Sequence, residues 1–340
     1  MSAQTNGPIR REIDHLVQQG ILTPSQGQKL AARYPSTPWD VVSLIRWFTI
    51  LGAVTAGVGV VLLARELVSA ERLGELGLAL ATGGLIFLGR HVAGHKGLVK
   101  TGAALELVAG FALQGVTALL ALDFSTGSDN WPALVGVQTV LLTVLAYLLQ
   151  NRLVLVHAGV CFFVFFGGST GYVSGWGVYW LGMNYPLRFL VAGLGFLAVA
   201  WLHAVRLQGA LAAFSRVYAH LGLLVLHLSL WFLALFGYFE KHVRFSGNAG
   251  ERIGFSLLWA VISVACVALS GALGQRVLRA YGLTFLIINA YTFYFQFVVA
   301  HSAEAWFVHL LLFGGSLVAV GFYLERQFRH RQDDPQAPVL

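Results

Sequence analysis

The chain has 340 residues, of which 57% are hydrophobic and 11% charged, and its formal net charge is +7. Soluble domains carry about a quarter charged residues, so this composition excludes an ordinary water-soluble fold and calls for lipid around the chain. The positive charge does not signal nucleic acid, because most Lys and Arg stand at the ends of apolar runs, where membrane topology and anionic lipid account for them.

Residues 1–40 are polar and lack the apolar core of a signal peptide, so this end is expected to stay in the cytoplasm. Ile13, Leu16 and Val17 have helical spacing from Pro8 to Gln19, and Gly20 is a plausible stop. Thr23, Pro24 and Gln26 supply an N-cap, a first-turn proline and a capping-box partner for a second helix reaching Tyr34. The expected product is a short cytoplasmic helical hairpin. It either caps the cytoplasmic ends of the membrane helices or docks a soluble protein partner.

From Val41 onward there are ten apolar runs near the roughly 20 residues needed to cross a bilayer. They cover residues 41–64, 73–92, 99–122, 132–150, 153–169, 188–207, 217–239, 253–273, 278–299 and 304–324. The predicted fold is therefore all-α: a ten-helix transmembrane bundle over 41–324 with a cytoplasmic tail over 325–340. With the N-terminus inside, sixteen of the 22 Lys and Arg are cytoplasmic, and only Arg65, Arg72, Arg188, Lys241, Arg244 and Arg252 fall outside. That bias follows the positive-inside rule and puts both termini in the cytoplasm.

Short connections predict one bundle. Gly52, Gly57 and Gly59, Gly77, Gly83 and Gly84, and Gly314 and Gly315 are expected to let helices approach closely. The segment from Gly167 to Pro186 has six glycines, no charge and Tyr172, Trp176, Tyr179, Trp180 and Tyr185. It reads as an interfacial aromatic belt, with a re-entrant segment as the alternative. Cys161 and Cys266 both lie in apolar runs and read as small core residues rather than a disulfide.

The hairpin LVQQGILTPSQGQKL (residues 16–30), followed by IRWFTILGAVTAGVGVVLL (45–63), resembles the start of the bacterial predicted membrane proteins called domain of unknown function 2157. The Glu-led, glycine-rich run from Glu106 to Asp123 and then SDNWPAL (128–134) are similar to that family's central pattern, so the resemblance spans about residues 12–155. Where the family pattern often has Gln and Tyr or His at the end of the third helix, this chain has LALDF (120–124). The resemblance implies a membrane class and topology; the family brings no activity with it.

Function is sought first at ionisable residues inside apolar runs, which are costly in hydrocarbon and normally face the protein interior. Glu106 lies roughly 9 Å inward from Lys100, His157 about 7 Å from Arg152, His220 about 6 Å from Arg216 and His203 about 5 Å from Arg206, at 1.5 Å per helical residue. Glu106, Gly110, Gln114 and Thr117 form a narrow polar and small stripe expected to face other helices. His220 and His227 share a helix face, as do Asn289 and Gln296. Each of these groups is either a hydrogen-bonded packing residue or part of a pathway. No C-x-x-C-H, C-x-x-C, H-E-x-x-H, phosphate loop or nucleophile elbow occurs, so neither cofactor nor metal nor a catalytic set is expected.

The leading expectation is a proton-coupled carrier of a small molecule or ion, with Glu106, Gln114, His157, His220, His227 and Asn289 along the substrate or proton pathway. The alternative is a non-transporting scaffold or regulatory subunit. A third is a membrane enzyme acting on lipid, with Arg188, Lys241, His242 and Arg244 meeting an anionic head group.

Overall fold

The computed structural model describes residues 6–33, 41–67, 72–124, 130–173, 181–207, 209–238, 248–297 and 307–316, with 318, 319 and 322. These residues form helices and their connections, and no strand. The helices are α1 (Asn6–Gln18), α2 (Pro24–Arg33), α3 (Val41–Leu67), α4 (Arg72–His95), α5 (Val99–Phe124), α6 (Trp131–Leu149), α7 (Arg152–Val173), α8 (Tyr185–Arg206), α9 (Gly209–Ala212), α10 (Phe214–Phe236), α11 (Ala249–Leu273) and α12 (Arg276–Phe297). A further short apolar helix covers Phe307–Ser316.

The hairpin forms as its punctuation predicts. Gly20 takes φ of +73° at the stop, a left-handed conformation that glycine adopts without a Cβ penalty. The Thr23 amide donates to Gln26 Oε1 at 2.9 Å and the Gln26 amide to Thr23 Oγ1 at 3.3 Å, the reciprocal pair of a capping box. Ile13 is buried in this pair, and Gly27 lies close against Val17 and Ile13. Because α1 and α2 pack on each other, deleting residues 8–34 should leave the membrane helices folded in detergent. Size-exclusion profiles of the deleted and intact chains check this, and loss of the folded peak would make the hairpin structural.

Among the described residues, seven helices are long and apolar enough to cross a membrane: Gly74–His95, Val99–Ala121, Trp131–Leu149, Arg152–Thr170, Tyr185–Arg206, Phe214–Phe236 and Ala249–Leu273. The sequence expectation was ten. Its other three runs fall on α3, where the described apolar stretch is Trp47–Val60, on α12, and on the helix Phe307–Ser316. α12 has the length but is diluted by Arg276, Arg279, Asn289 and Gln296. The glycine-rich segment after residue 167 begins as helix, since α7 continues to Val173, with Thr170 Oγ1 donating back to the Phe166 carbonyl at 2.7 Å. The remainder of the expected aromatic belt, residues 174–180, lies outside the described residues, as does the tail from 325.

The chain comprises two compact units, Met1–Val173 with Leu202–Val217, and Ser174–Trp201 with Tyr218–Leu340. In the first, α5 is the shared element: α3, α4, α6 and α7 all pack on it. Ala104, Leu107 and Val108 of α5 bury against Ala53 of α3, with Leu85 of α4 and Leu153 of α7 around them. In the second, Leu226, Leu230 and Ala234 of α10, Trp259 of α11 and Phe285 of α12 form the core.

Close helix approach occurs at other glycines than most of those expected. A Cβ on Gly102 would stand 2.5 Å from the Gly89 carbonyl oxygen, and one on Gly89 2.9 Å from the Gly102 carbonyl oxygen, so α4 and α5 touch backbone to backbone there. Gly193 and Gly222 play the same part for α8 and α10, and Gly282 meets the Ser263 carbonyl across α11 and α12. Of the glycines expected at contacts, Gly57 packs on the Phe111 ring, while Gly52, Gly59, Gly77, Gly83, Gly84, Gly314 and Gly315 meet nothing within 4 Å. Helix rotation decides which glycines face a neighbour, and composition alone does not report rotation.

Candidate functional site

The stripe on α5 faces α4, α6 and α7 and holds two polar clusters. At the first, Glu106 is 4% exposed and both carboxylate oxygens are engaged. Arg90 of α4 places Nε 3.3 Å from Oε1, with its own side chain 50% exposed, and its Nη2 donates to the Leu148 carbonyl of α6 at 3.3 Å. Asn151 Nδ2 donates to Glu106 Oε2 at 2.8 Å and to the Ala103 carbonyl at 2.9 Å.

Local sequence explains why Asn151 can do this. α6 ends in a left-handed Gln150, the Asn151 amide returns to the Ala146 carbonyl at 3.0 Å, and Asn151 Oδ1 then caps α7 by accepting from the Leu153 amide at 2.8 Å. The cap oxygen therefore points into α7, leaving the amide nitrogen free to meet α5. One side chain thereby serves a helix terminus and a buried carboxyl at once.

The second cluster begins eight residues further along α5, about 12 Å along the axis. His157 Nε2 of α7 donates to Gln114 Oε1 at 2.9 Å, and Gln114 Nε2 faces Cys161 Sγ at 3.1 Å and Gln138 Oε1 at 3.4 Å. Gln138 of α6 returns Nε2 to Thr117 Oγ1 at 2.9 Å. The His157 ring stacks on Phe111, centroids 4.1 Å apart, and its buried Nδ1 has no hydrogen-bond partner among the described residues. Gly110 makes room for it, since a Cβ there would stand 3.3 Å from Nδ1.

The remaining expected residues lie in the second unit. His227 is 0% exposed, accepts from Trp259 Nε1 at Nδ1 over 3.0 Å, and stacks on Phe285 with centroids 4.5 Å apart. His220 is exposed and comes within 3.5 Å of the Tyr281 hydroxyl, so the two histidines do share the face that meets Tyr281. Asn289 accepts from Ser256 Oγ at 2.7 Å and donates to the Ser256 carbonyl at 2.8 Å, while Gln296 donates to the Leu235 carbonyl at 2.8 Å. These two polar groups of α12 thus hold different neighbours, α11 and α10. Arg188 is 0% exposed with its guanidinium 3.9 Å from the Tyr185 ring centroid, and Lys241, His242 and Arg244 lie outside the described residues.

Trp259→Phe tests the role of this histidine in packing. It removes the donor facing His227 Nδ1 and leaves a buried acceptor unsatisfied, a loss of about 1–3 kcal/mol. Thermal unfolding in detergent should show it, and an unchanged melting temperature would mean that water reaches the ring.

Arg90, Asn151, Gln138 and Trp259 are partners that sequence reasoning did not assign. Arg90 reads as one more cytoplasmic charge, and Asn151 as a connection residue between two apolar runs. Gln138 carried a usable signal, being a lone amide within the apolar run of α6. The structure brings Glu106 into one cluster and Gln114 and His157 into a second on the same helix.

Among the described residues, helices long and apolar enough to span a bilayer surround a buried carboxylate paired with a half-exposed cation, an all-helical arrangement compatible with an integral membrane protein. Comparison with protein-family models, curated proteins and solved structures finds no match for the chain.

Proposed function

We propose that the protein is a proton-coupled carrier of a small molecule or ion, in which Glu106 is the coupling carboxylate. The observation that carries this reading is Glu106 itself: a carboxylate 4% exposed, paired with an Arg90 that is half exposed, on an apolar helix of spanning length. Burial and pairing of this kind mark ion and proton pathways in membrane proteins. The second cluster extends the polar face of α5 toward Thr117 with one more titratable group, His157. Proton flux into reconstituted vesicles, compared between the intact protein and Glu106→Gln, tests the reading.

A non-transporting subunit is the second reading, and the engagement of both Glu106 oxygens favours it, because such an ion pair also serves to lock α4, α5 and the α6–α7 connection together. In either case we propose ten spans in a bacterial inner membrane, both termini in the cytoplasm, and kinship of the first half with domain of unknown function 2157. Reporter fusions after Phe124 and after Leu340 should read outside and inside respectively, and the same side for both would refute that topology.

A further inference from the structure

The second unit contains an open pocket of about 470 Å³, in the size range of small-ligand sites, which is roughly 300–1,000 Å³. Trp231 and Leu235 of α10, Ile288, Tyr291 and Phe295 of α12, and Phe313 of the helix Phe307–Ser316 line it. The α12 residues recur at three- and four-residue steps, so they form one face and the pocket runs along the helix. Its donors are engaged, while Gln296 Oε1 is buried with no hydrogen-bond partner among the described residues. Trp231 Nε1 donates to Thr292 Oγ1 at 3.0 Å and Gln296 Nε2 to the Leu235 carbonyl at 2.8 Å, tying α10 to α12. Apart from that oxygen the wall is apolar and aromatic, and α10 is one of the helices long enough to cross a membrane.

A cation of α11 lies against the C-terminal end of the same helix, α12. Phe297 follows Gln296, and the Arg252 guanidinium of α11 lies over its ring, 5.6 Å from the centroid. Arg252 Nε is buried and has no hydrogen-bond partner among the described residues. The adjacent carboxylate does not take it, for Glu251 accepts instead from the Tyr238 amide at 3.2 Å and from Asn248 Nδ2 at 3.3 Å. A planar guanidinium held by an aromatic face suits a phosphate, which it binds with two parallel hydrogen bonds.

We propose that this unit binds one anionic phospholipid, with an acyl chain in the pocket along α12 and the phosphate on Arg252. Apolar walls select the chain and the guanidinium selects the charge. The site is separate from Glu106 and does not depend on transport.

Native mass spectrometry of the full-length protein in detergent tests it, with phosphatidylglycerol and phosphatidylcholine of matched chains as probes. One Arg near the head group should favour phosphatidylglycerol about fivefold. Arg252→Gln should bring the two lipids level, and Arg252→Lys should keep part of the preference. Glycerol phosphate, which lacks a tail, should not be retained. Because Arg252→Gln could impair folding, Phe313→Trp supplies an independent test: its larger ring fills the pocket and should lower retention of both lipids. Equal retention of the two lipids by the intact protein, a preference that survives Arg252→Gln, capture of glycerol phosphate alone, or unchanged retention in Phe313→Trp would each overturn the proposal.

Discussion

Glu106→Gln is expected to abolish proton-linked flux while leaving the helices assembled, and Glu106→Leu to weaken the assembly itself. In the Gln variant one amide oxygen still accepts from Asn151 Nδ2, and Arg90, half exposed, keeps the Leu148 carbonyl and water. The loss in stability should be no more than about 1 kcal/mol, the usual size of an interhelical hydrogen bond in a membrane protein. Leucine removes both carboxylate acceptors from the site. Asn151 keeps only the Ala103 carbonyl, so the cost rises to about 1–2 kcal/mol and appears as a lower melting temperature in detergent. Flux is the deciding quantity, because only an exchangeable proton on Glu106 distinguishes a coupling residue from a structural clamp. Wild-type flux in the Gln variant, or no flux in any of the three forms, would remove the carrier reading and leave the subunit reading standing.

The second large effect is expected where α4 and α5 cross. In Gly102→Ala the new methyl would stand 2.5 Å from the Gly89 carbonyl oxygen and 2.8 Å from the Ala93 methyl, and since the first obstacle is backbone, the helices must separate. Overpacking of this kind costs about 1–3 kcal/mol. Gly59→Ala is the matched control, since nothing lies within 4 Å of a Cβ there and alanine is the better helix former by roughly 0.5–1 kcal/mol. The two variants should therefore move the melting temperature in opposite directions. The crossing also abuts the site, because a Cβ on Gly89 would stand 3.0 Å from Glu106 Cγ. Separating the helices should lengthen the Arg90–Glu106 pair, so Gly102→Ala should also lower flux. Equal melting temperatures for Gly102→Ala and Gly59→Ala would mean that the crossing is looser than the geometry shows.

Both sites illustrate what was legible in advance. Glu106 stood out because a carboxyl within a run of more than twenty apolar residues has no solvated place to go. The inward stripe of Gly110, Gln114 and Thr117 followed from helical period alone. The capping box of Thr23 and Gln26 was equally plain, since its interactions are local. Partners were not legible. Arg90 is 16 positions from Glu106 and Asn151 45 positions away, and whether they meet depends on how α4, α5 and α7 rotate and cross. The same rotation moved the close contacts from Gly77 and Gly83 to Gly89 and Gly102. For the histidines, spacing placed His220 and His227 on one face, but only packing put His227 against Trp259 and Phe285 while leaving His220 exposed.

What the sequence determined by itself is whatever each segment settles alone: helix rather than strand, the lipid-compatible length of the runs, the hairpin's caps, and the presence of an ionisable group that must be buried. In hydrocarbon every backbone polar group has to be satisfied within its own helix, so hydropathy and local capping suffice for these. The tertiary structure decided which side chain satisfies which. It paired Glu106 with Arg90 and Asn151, set Gly89 on Gly102, left a pocket beside α12 and laid Arg252 over the Phe297 ring. Those outcomes depend on rotation and crossing between helices whose outer faces are uniformly apolar, and such faces carry no period that records the angle at which they meet.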